Sequence, residues 1–292
     1  MLHDNTSKNR QIGILFVSIA TMFFTGLDAS SKWLLQFMPL LQIVWLRFVF
    51  HSIMSVLLLS PKFGLTIFKV KNLKLQLLRA GMLCTITALY FGALQYLQLA
   101  ESSAINFSVP ILVAVISSVL MKDHLPLNQW LAIGTGFIGV LVILNPFGHS
   151  FHPAMFLALG GAIIYAFFNI LTRKVAASDH PATTQLMSAV GPAILLTPFA
   201  LPTWQSPRDG FQWLIIVGMG VFGFGGHYLL ALAYRYAKAN TLSPYSYQQI
   251  IYMTLVGMIV FHQSPGFNVV IGALIVLGSG LYLILQEIKK GD

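Results

Sequence analysis

Charge is what this sequence has least of. Only 9% of its 292 residues are Asp, Glu, Lys or Arg, against about 25% in soluble domains. A chain this poor in charge cannot cover a water-facing surface, which excludes an ordinary soluble enzyme or binding module. Cysteine is scarcer still: Cys84 is alone, so neither a disulfide framework nor a thiolate metal site can be built. No HExxH, GxSxG or P-loop pattern occurs, and no carboxylates cluster at mid-span, so catalytic residues, metal and cofactor are all expected to be absent.

What is present is apolar sequence. Hydrophobic residues make up 57% of the chain and the mean hydropathy is +0.77. Crossing a bilayer core takes about 20 apolar residues in a helix, and the sequence offers ten such runs, at 12–33, 39–60, 75–97, 102–121, 129–145, 153–172, 183–201, 211–234, 241–261 and 267–286. Residues 1–10 read as a short polar tail. The first run is long enough to span and lacks a small-residue cleavage site, so no cleavable signal is expected. The predicted fold is an all-α polytopic membrane protein.

A net charge of +9 and a pI near 9.7 would point to nucleic acid in a soluble protein, but the basic residues lie between the spans. With the N-terminus cytoplasmic, that side carries Lys8, Arg10, Lys62, Lys69, Lys71, Lys74, Arg79, Lys122, Arg173, Lys174, Arg235, Lys238, Lys289 and Lys290, 14 of the 17. The opposite side keeps Lys32 and Arg208, and Arg47 falls within a span. This asymmetry is the positive-inside rule and predicts both termini cytoplasmic. The charge reports topology and contact with anionic lipid, with no nucleic-acid partner expected.

No linker or soluble domain interrupts the pattern, so residues 1–292 read as one membrane domain. Sliding the chain by 139 to 141 residues lays five spans on five, dividing it into 11–146 and 152–287. Asp28 to Lys32 meets Asn169 to Arg173, Ala100 meets Ala239, Pro126 meets Pro265 and Gly139 meets Gly278. An odd number of spans per half makes the second half enter from the opposite side, which gives inverted repeats about a midplane site.

The five-plus-five layout, Arg47-Phe48 in the second span and AESSAINFSVP (Ala100 to Pro110) opening the fourth resemble the drug/metabolite transporter superfamily, in its ten-helix EamA type. Pro244 to Gln248 (PYSYQ), opening the ninth span, adds to the likeness, which covers nearly the whole chain. The resemblance implies a secondary transporter without a cofactor. Members often carry an acidic residue at the end of the ninth helix. This chain has His262-Gln263 there, so a proton-coupling role at that position does not carry over.

Ionisable groups at membrane depth cost about 2.5–3.5 kcal/mol on insertion scales and need a partner or a wet cavity. Asp28 and Arg47 stand at similar depths in the first two spans, with Lys32 one turn from Asp28 and His51 one turn from Arg47. They read either as an ion pair fastening the two spans or as a substrate or proton site. In the ninth span Tyr245, Gln248, Gln249 and Tyr252 recur at i, i+3, i+4 and i+7 on one face, as interhelical glue or as a cavity wall. Tyr165, Asn169 and Thr172 share a side of the sixth span, and Thr87, Phe91 and Gln95 a side of the third. Asn106 precedes Pro110 by one turn, and the proline predicts a kink there, serving gating or packing.

His227 follows a glycine cluster, Gly218 to Gly226, and reads as a packing residue or as a titratable one facing water. The cluster spells GxGxxG, but the apolar run continues on both sides and no βαβ unit surrounds it. His149 and His152 read as a solvated loop, since two histidines lack a further metal ligand.

The expectation is an inner-membrane carrier of small organic metabolites working by alternating access, with protons a candidate coupling ion. Amino acids and their derivatives fit the mixture of amides and phenols best. S-adenosylmethionine, riboflavin or a cationic drug is the alternative, and a scaffold or intramembrane enzyme the reading of another class. The topology is open to a direct check. Fluorescent-protein fusions at both ends are expected to fluoresce in the cytoplasm, and a periplasmic phosphatase reporter inserted at 264 to be active. The reverse pattern would invert the assignment.

Overall fold

The structure is a computed structural model that describes residues 7–120, 126–145, 151–176, 179–237, 242 and 245–291. Lys122, His149, Lys238, Ala239 and Pro244, all used in the sequence reading, lie outside the described residues, as does the tail at 1–6. In hydrocarbon every backbone N–H and C=O must be satisfied within the chain. The described residues accordingly form helices and short turns, with no strand among them. The helices are α1 (Ser7–Leu34), α2 (Leu40–Phe63), α3 (Leu73–Leu94), α4 (Leu99–Asn106), α5 (Val109–Leu120) and α6 (Leu127–Leu144). After them come α7 (Met155–Ala176), α8 (Pro181–Ala200), α9 (Gly210–Tyr236), α10 (Gln248–Phe261) and α11 (Phe267–Gly291).

Among the described residues eight helical segments are long and apolar enough to cross a membrane, α4 and α5 together supplying one. Two more apolar helices, Gln248–Phe261 and Phe267–Leu283, are shorter. Side chains such as Ile194 and Ile259 are 67% and 72% exposed on outward faces, as expected of a protein whose outer solvent is lipid.

Local sequence sets the helix ends. Asn72 accepts from the Leu75 N–H at 3.3 Å to cap α3, and Asp209 accepts from the Gln212 N–H at 2.8 Å to cap α9. At the start of α4 the Glu101 carboxylate reaches back and accepts the Gln98 N–H at 2.8 Å. Asn145 and His262, at φ 40° and 52°, end α6 and α10 in left-handed conformation.

The kink expected near Asn106 is a full break. Helix α4 stops at Asn106, Phe107 and Ser108 form a turn, and α5 restarts with Pro110 in its first turn. Proline has no N–H to give and is accepted there without loss. A second break stands at Tyr247, a turn residue between helical Ser246 and α10. The breaks touch: the rings of Phe107 and Tyr247 pack at 5.1 Å.

The most extensive pairings are α1 with α9, α3 with α7, α2 with both α8 and α9, α3 with α8, and α6 with α11. The glycine cluster of α9 makes its share possible, because a Cβ on Gly220 would strike Phe50 and one on Gly226 would meet the Phe24 ring at 2.7 Å. The α6–α11 crossing is closer still. A Cβ on Gly139 would lie 3.0 Å from the Gly272 carbonyl, and one on Gly272 would lie 2.6 Å from the Gly139 carbonyl. The Ser279 hydroxyl donates to Ala132 O at 2.6 Å alongside. Gly278 has nothing within 4 Å of its Cβ position. Gly272→Val is therefore expected to cost about 1–3 kcal/mol through overpacking, and Gly278→Ala almost nothing, as read by thermal unfolding of the detergent-purified protein.

Candidate functional site

The polar residues of α1, α2, α3, α8 and α9 converge inside the bundle. Arg47 is 7% exposed and its Nη1 donates to Thr87 Oγ1 at 2.8 Å. The rings of Phe48 and Phe91 lie 4.9 and 5.4 Å from its guanidinium carbon, a cation–π setting that offsets part of the lost hydration. Asp28, 7% exposed, accepts from the Tyr90 hydroxyl at 3.3 Å. Asp28 and Arg47 lie within electrostatic reach of one another, but among the described residues no contact within the 4.0 Å limit of an ion pair joins them. Of the two readings of Asp28 and Arg47, the fastening ion pair is not made by direct contact: each charge is held separately, Asp28 on Tyr90 and Arg47 on Thr87. Tyr165, its ring tilted against that of Phe168 at 5.9 Å, also stands within reach of the Arg47 charge.

Lys32 takes no part in that pair. Its ammonium donates to the carbonyls of Leu94 and Leu97, both at 2.7 Å, capping the C-terminal end of α3. A lysine one turn from Asp28 had two ways to go, and the open carbonyls of a helix end attract it along the macrodipole. Gln95 is also corrected. It follows the last residue of α3 and is exposed, while Thr87 and Phe91 are buried at the cluster.

One turn along α2, His51 is buried and lies 5.8 Å from His227, their rings stacked at 16°. The ring of His227 also meets Phe24 edge-on at 5.0 Å. The Gln185 amide nitrogen stands 3.2 Å from His51 Nε2. His227 is thus a packing residue and a wall of the polar cluster at once.

The stripe of the ninth span is half-buried along its length. Tyr252 donates to Gln248 Oε1 at 2.9 Å, and Tyr245 packs on the cluster of Val17, Ala233, Ala237 and Leu242. Gln249, Asn106 at the end of α4 and Asn169 on α7 are half-buried too. No hydrogen bond joins the stripe to Asp28 or Arg47 among the described residues. Since Gly13 of α1 packs on Leu242 and Lys32 stands 6.0 Å from the Phe261 ring, α1 and this stretch run parallel, and the glutamines lie nearer the N-terminal end of α1 than Asp28 does.

A second polar network escaped the sequence reading. Arg79, counted there as a loop charge, lies within α3 and is 5% exposed. Its Nε donates to Thr172 Oγ1 at 3.0 Å and its Nη1 to Gln76 Oε1 at 3.2 Å, over the Phe168 ring. The Gln76 amide donates to Asp179 and Thr184 at 2.9 and 3.1 Å, and Asp179 also accepts the Lys71 N–H at 2.7 Å. The spacing of Gln76 and Arg79, three residues apart on one face, was the signal in the sequence. At the opposite end Gln263 accepts the Leu99 N–H at 3.1 Å, tying the turn after α10 to the start of α4. His152 also finds a structural place, accepting the Ala154 N–H at 3.1 Å and stacking on Tyr96 at 4.9 Å.

This architecture has known counterparts. The model of the EamA-like transporter family matches residues 11–145 and again 152–286. The chain belongs to the EamA-like transporter family. A riboflavin transporter of Vibrio cholerae is 29% identical over 219 residues, covering 73% of this chain and 72% of its own. An S-adenosylmethionine uptake transporter of Rickettsia bellii is 23% identical over 286 residues and covers 98% of both chains. One solved crystal structure shares the fold with a TM-score of 0.66 at 19% identity, over 98% of this chain and 99% of that one. This EamA-like chain is therefore a multi-pass membrane protein of a transporter family.

Thr87 is the hydroxyl that Arg47 depends on. Thr87→Val keeps the shape and removes the acceptor, and is expected to cost about 1.5–3 kcal/mol, measured as a fall in unfolding temperature in detergent.

Proposed function

We propose that this chain is a ten-helix secondary transporter of the bacterial cytoplasmic membrane that takes up a flat heteroaromatic metabolite, S-adenosylmethionine before riboflavin. The observation that carries the order is the buried cluster in which Asp28 and Arg47 sit close without pairing. Opposite charges held apart suit a zwitterionic amino-acid group, with the ammonium toward Asp28 and a carboxylate toward Arg47. S-adenosylmethionine carries such a group and riboflavin does not. The tyrosines and histidines around the cluster offer rings for a flat base. The free amino acids expected from the sequence find no support in the names of the relatives above.

Alternating access of two inverted five-helix halves is the mechanism in this reading. The helix pairings support it. Exchanging α1 with α7, α2 with α8, α3 with α9, α4/α5 with α10 and α6 with α11 turns the α1–α9 pairing into α7–α3, and α2–α9 into α8–α3, while α2–α8 and α6–α11 map onto themselves. The breaks at Ser108 and Tyr247 are 247 − 108 = 139 residues apart, the same shift that superposes the spans. Lys32 and Gln263 would close the outer end and the Arg79–Gln76–Asp179 network the inner end, so each must open in turn. Pro110 then serves the flexing of the fourth span, and protons moving through Asp28 are the coupling ion.

In proteoliposomes, labelled S-adenosylmethionine is expected to accumulate above protein-free controls, with riboflavin as the second compound. Asp28→Asn is expected to abolish its dependence on a proton gradient. Gln248→Ala, Gln249→Ala and Tyr252→Ala are expected to lower uptake. If correctly folded protein moves neither compound, the proposal is wrong.

A further inference from the structure

Two buried nitrogens near the centre of the bundle lack partners, and both face one glycine. Arg47 Nε and His51 Nδ1 have no hydrogen-bond partner, although their residues are 7% and 2% exposed. A buried polar group left unpaired costs about 1–3 kcal/mol, more when charged, so two at one place ask for an explanation. Gly223 of α9 supplies it. The point where its Cβ would stand has His51 Nδ1 at 3.6 Å and Arg47 Nε at 4.0 Å, with no other heavy atom beyond its own helix within 4 Å. The missing side chain leaves a notch with a nitrogen on each flank.

Both nitrogens are donors. A guanidinium Nε always carries a proton. With the Gln185 amide nitrogen turned to His51 Nε2 at 3.2 Å, the neutral tautomer that suits it accepts at Nε2 and carries its proton on Nδ1. An atom placed between them must accept two hydrogen bonds. The Cβ point is 3.6 Å from His51 Nδ1 and 4.0 Å from Arg47 Nε, so an oxygen must sit at least about 1.1 Å from that point, on the side of Nε, to reach the ordinary length of about 2.9 Å.

We infer that the Gly223 notch is a carboxylate subsite, in which one oxygen of the transported molecule bridges Arg47 Nε and His51 Nδ1. This rests on the uptake reading above and names the group that Arg47 receives. A carboxylate is the acceptor that fits because the Arg47 charge has no anionic partner in contact: Nη1 goes to the neutral Thr87, and Asp28 is held by Tyr90. Gly223 sets the specificity. Any side chain there would occupy the place of the oxygen, and an alanine would do so without disturbing α9, since its Cβ would stand at ordinary van der Waals distance from both nitrogens.

The test compares dissociation constants of S-adenosylmethionine, its decarboxylated form and riboflavin for detergent-purified wild type and Gly223→Ala, read from ligand-induced shifts in unfolding temperature. Gly223→Ala should unfold at the wild-type temperature when empty and bind S-adenosylmethionine about tenfold or more weakly. The decarboxylated form should bind both proteins equally. Equal binding of S-adenosylmethionine by both proteins, an equal loss for both forms, or wild type that binds riboflavin and not S-adenosylmethionine would overturn the subsite. Should Gly223→Ala fail to fold, Arg47→Lys takes its place in the comparison of affinities, because it keeps the charge and removes Nε–H. Losing the bond to Thr87 lowers its unfolding temperature when empty, and S-adenosylmethionine should again bind about tenfold or more weakly while the decarboxylated form loses nothing. Should the notch bind as expected while proteoliposomes accumulate nothing, the uptake proposal falls and the subsite stands.

Discussion

The guanidinium of Arg47 must be kept charged, hydrated or bonded in the interior of a bundle that faces hydrocarbon. A cation at that depth is tolerated only where its surroundings supply what water would. Thr87 gives it an acceptor from α3, Phe48 and Phe91 give it π-faces, Asp28 gives it an opposite charge nearby, and Gly223 of α9 leaves the space beside its Nε without a side chain. Removing any of these leaves the charge poorer. The convergence of these helices is thus tied to one residue, and what still goes unsatisfied, its Nε, is left toward the place where a ligand can complete it.

Solvation by incomplete partners is a way of holding a site ready. A full ion pair between Asp28 and Arg47 would be more stable in the empty protein, but a zwitterion would then have to break it. Holding Asp28 on Tyr90 and Arg47 on Thr87 keeps both charges oriented and apart. The stacked His51 and His227, with the Gln185 amide against His51, carry the polar contacts on from α2 to α9 and α8.

Much of the fold was legible because it follows from one-dimensional signals. Long apolar runs gave the helices, and proline at 110 gave the break in the fourth span. Where the reading went astray, the outcome depended on which of several partners a side chain would find. Lys32 could reach Asp28 by spacing but reached the carbonyls of Leu94 and Leu97, and no pattern within α1 reveals that the end of α3 lies beside it. Arg79 looked like a loop charge because it stands near the start of its span. Its burial comes from Thr172 and Gln76, and the network is completed by Asp179, 103 residues from Gln76. Gln95 shared a helical face with Thr87 and Phe91, but α3 ends at Leu94, so that face does not continue to it.

The crossing of α6 and α11 has a consequence for how force passes through the molecule. Where Gly139 and Gly272 meet, each glycine faces the other's carbonyl and is flanked by a β-branched side chain, Ile275 against Gly139 and Ile143 against Gly272, so the contact has few rotamers to readjust and little compliance for sliding. Such a joint behaves as a fixed post. Deformation that starts at the charges around Arg47 is then confined to helices joined by longer, softer side chains, and the strain of a turnover is spent on one side of the molecule while the other serves as its anchor in the bilayer.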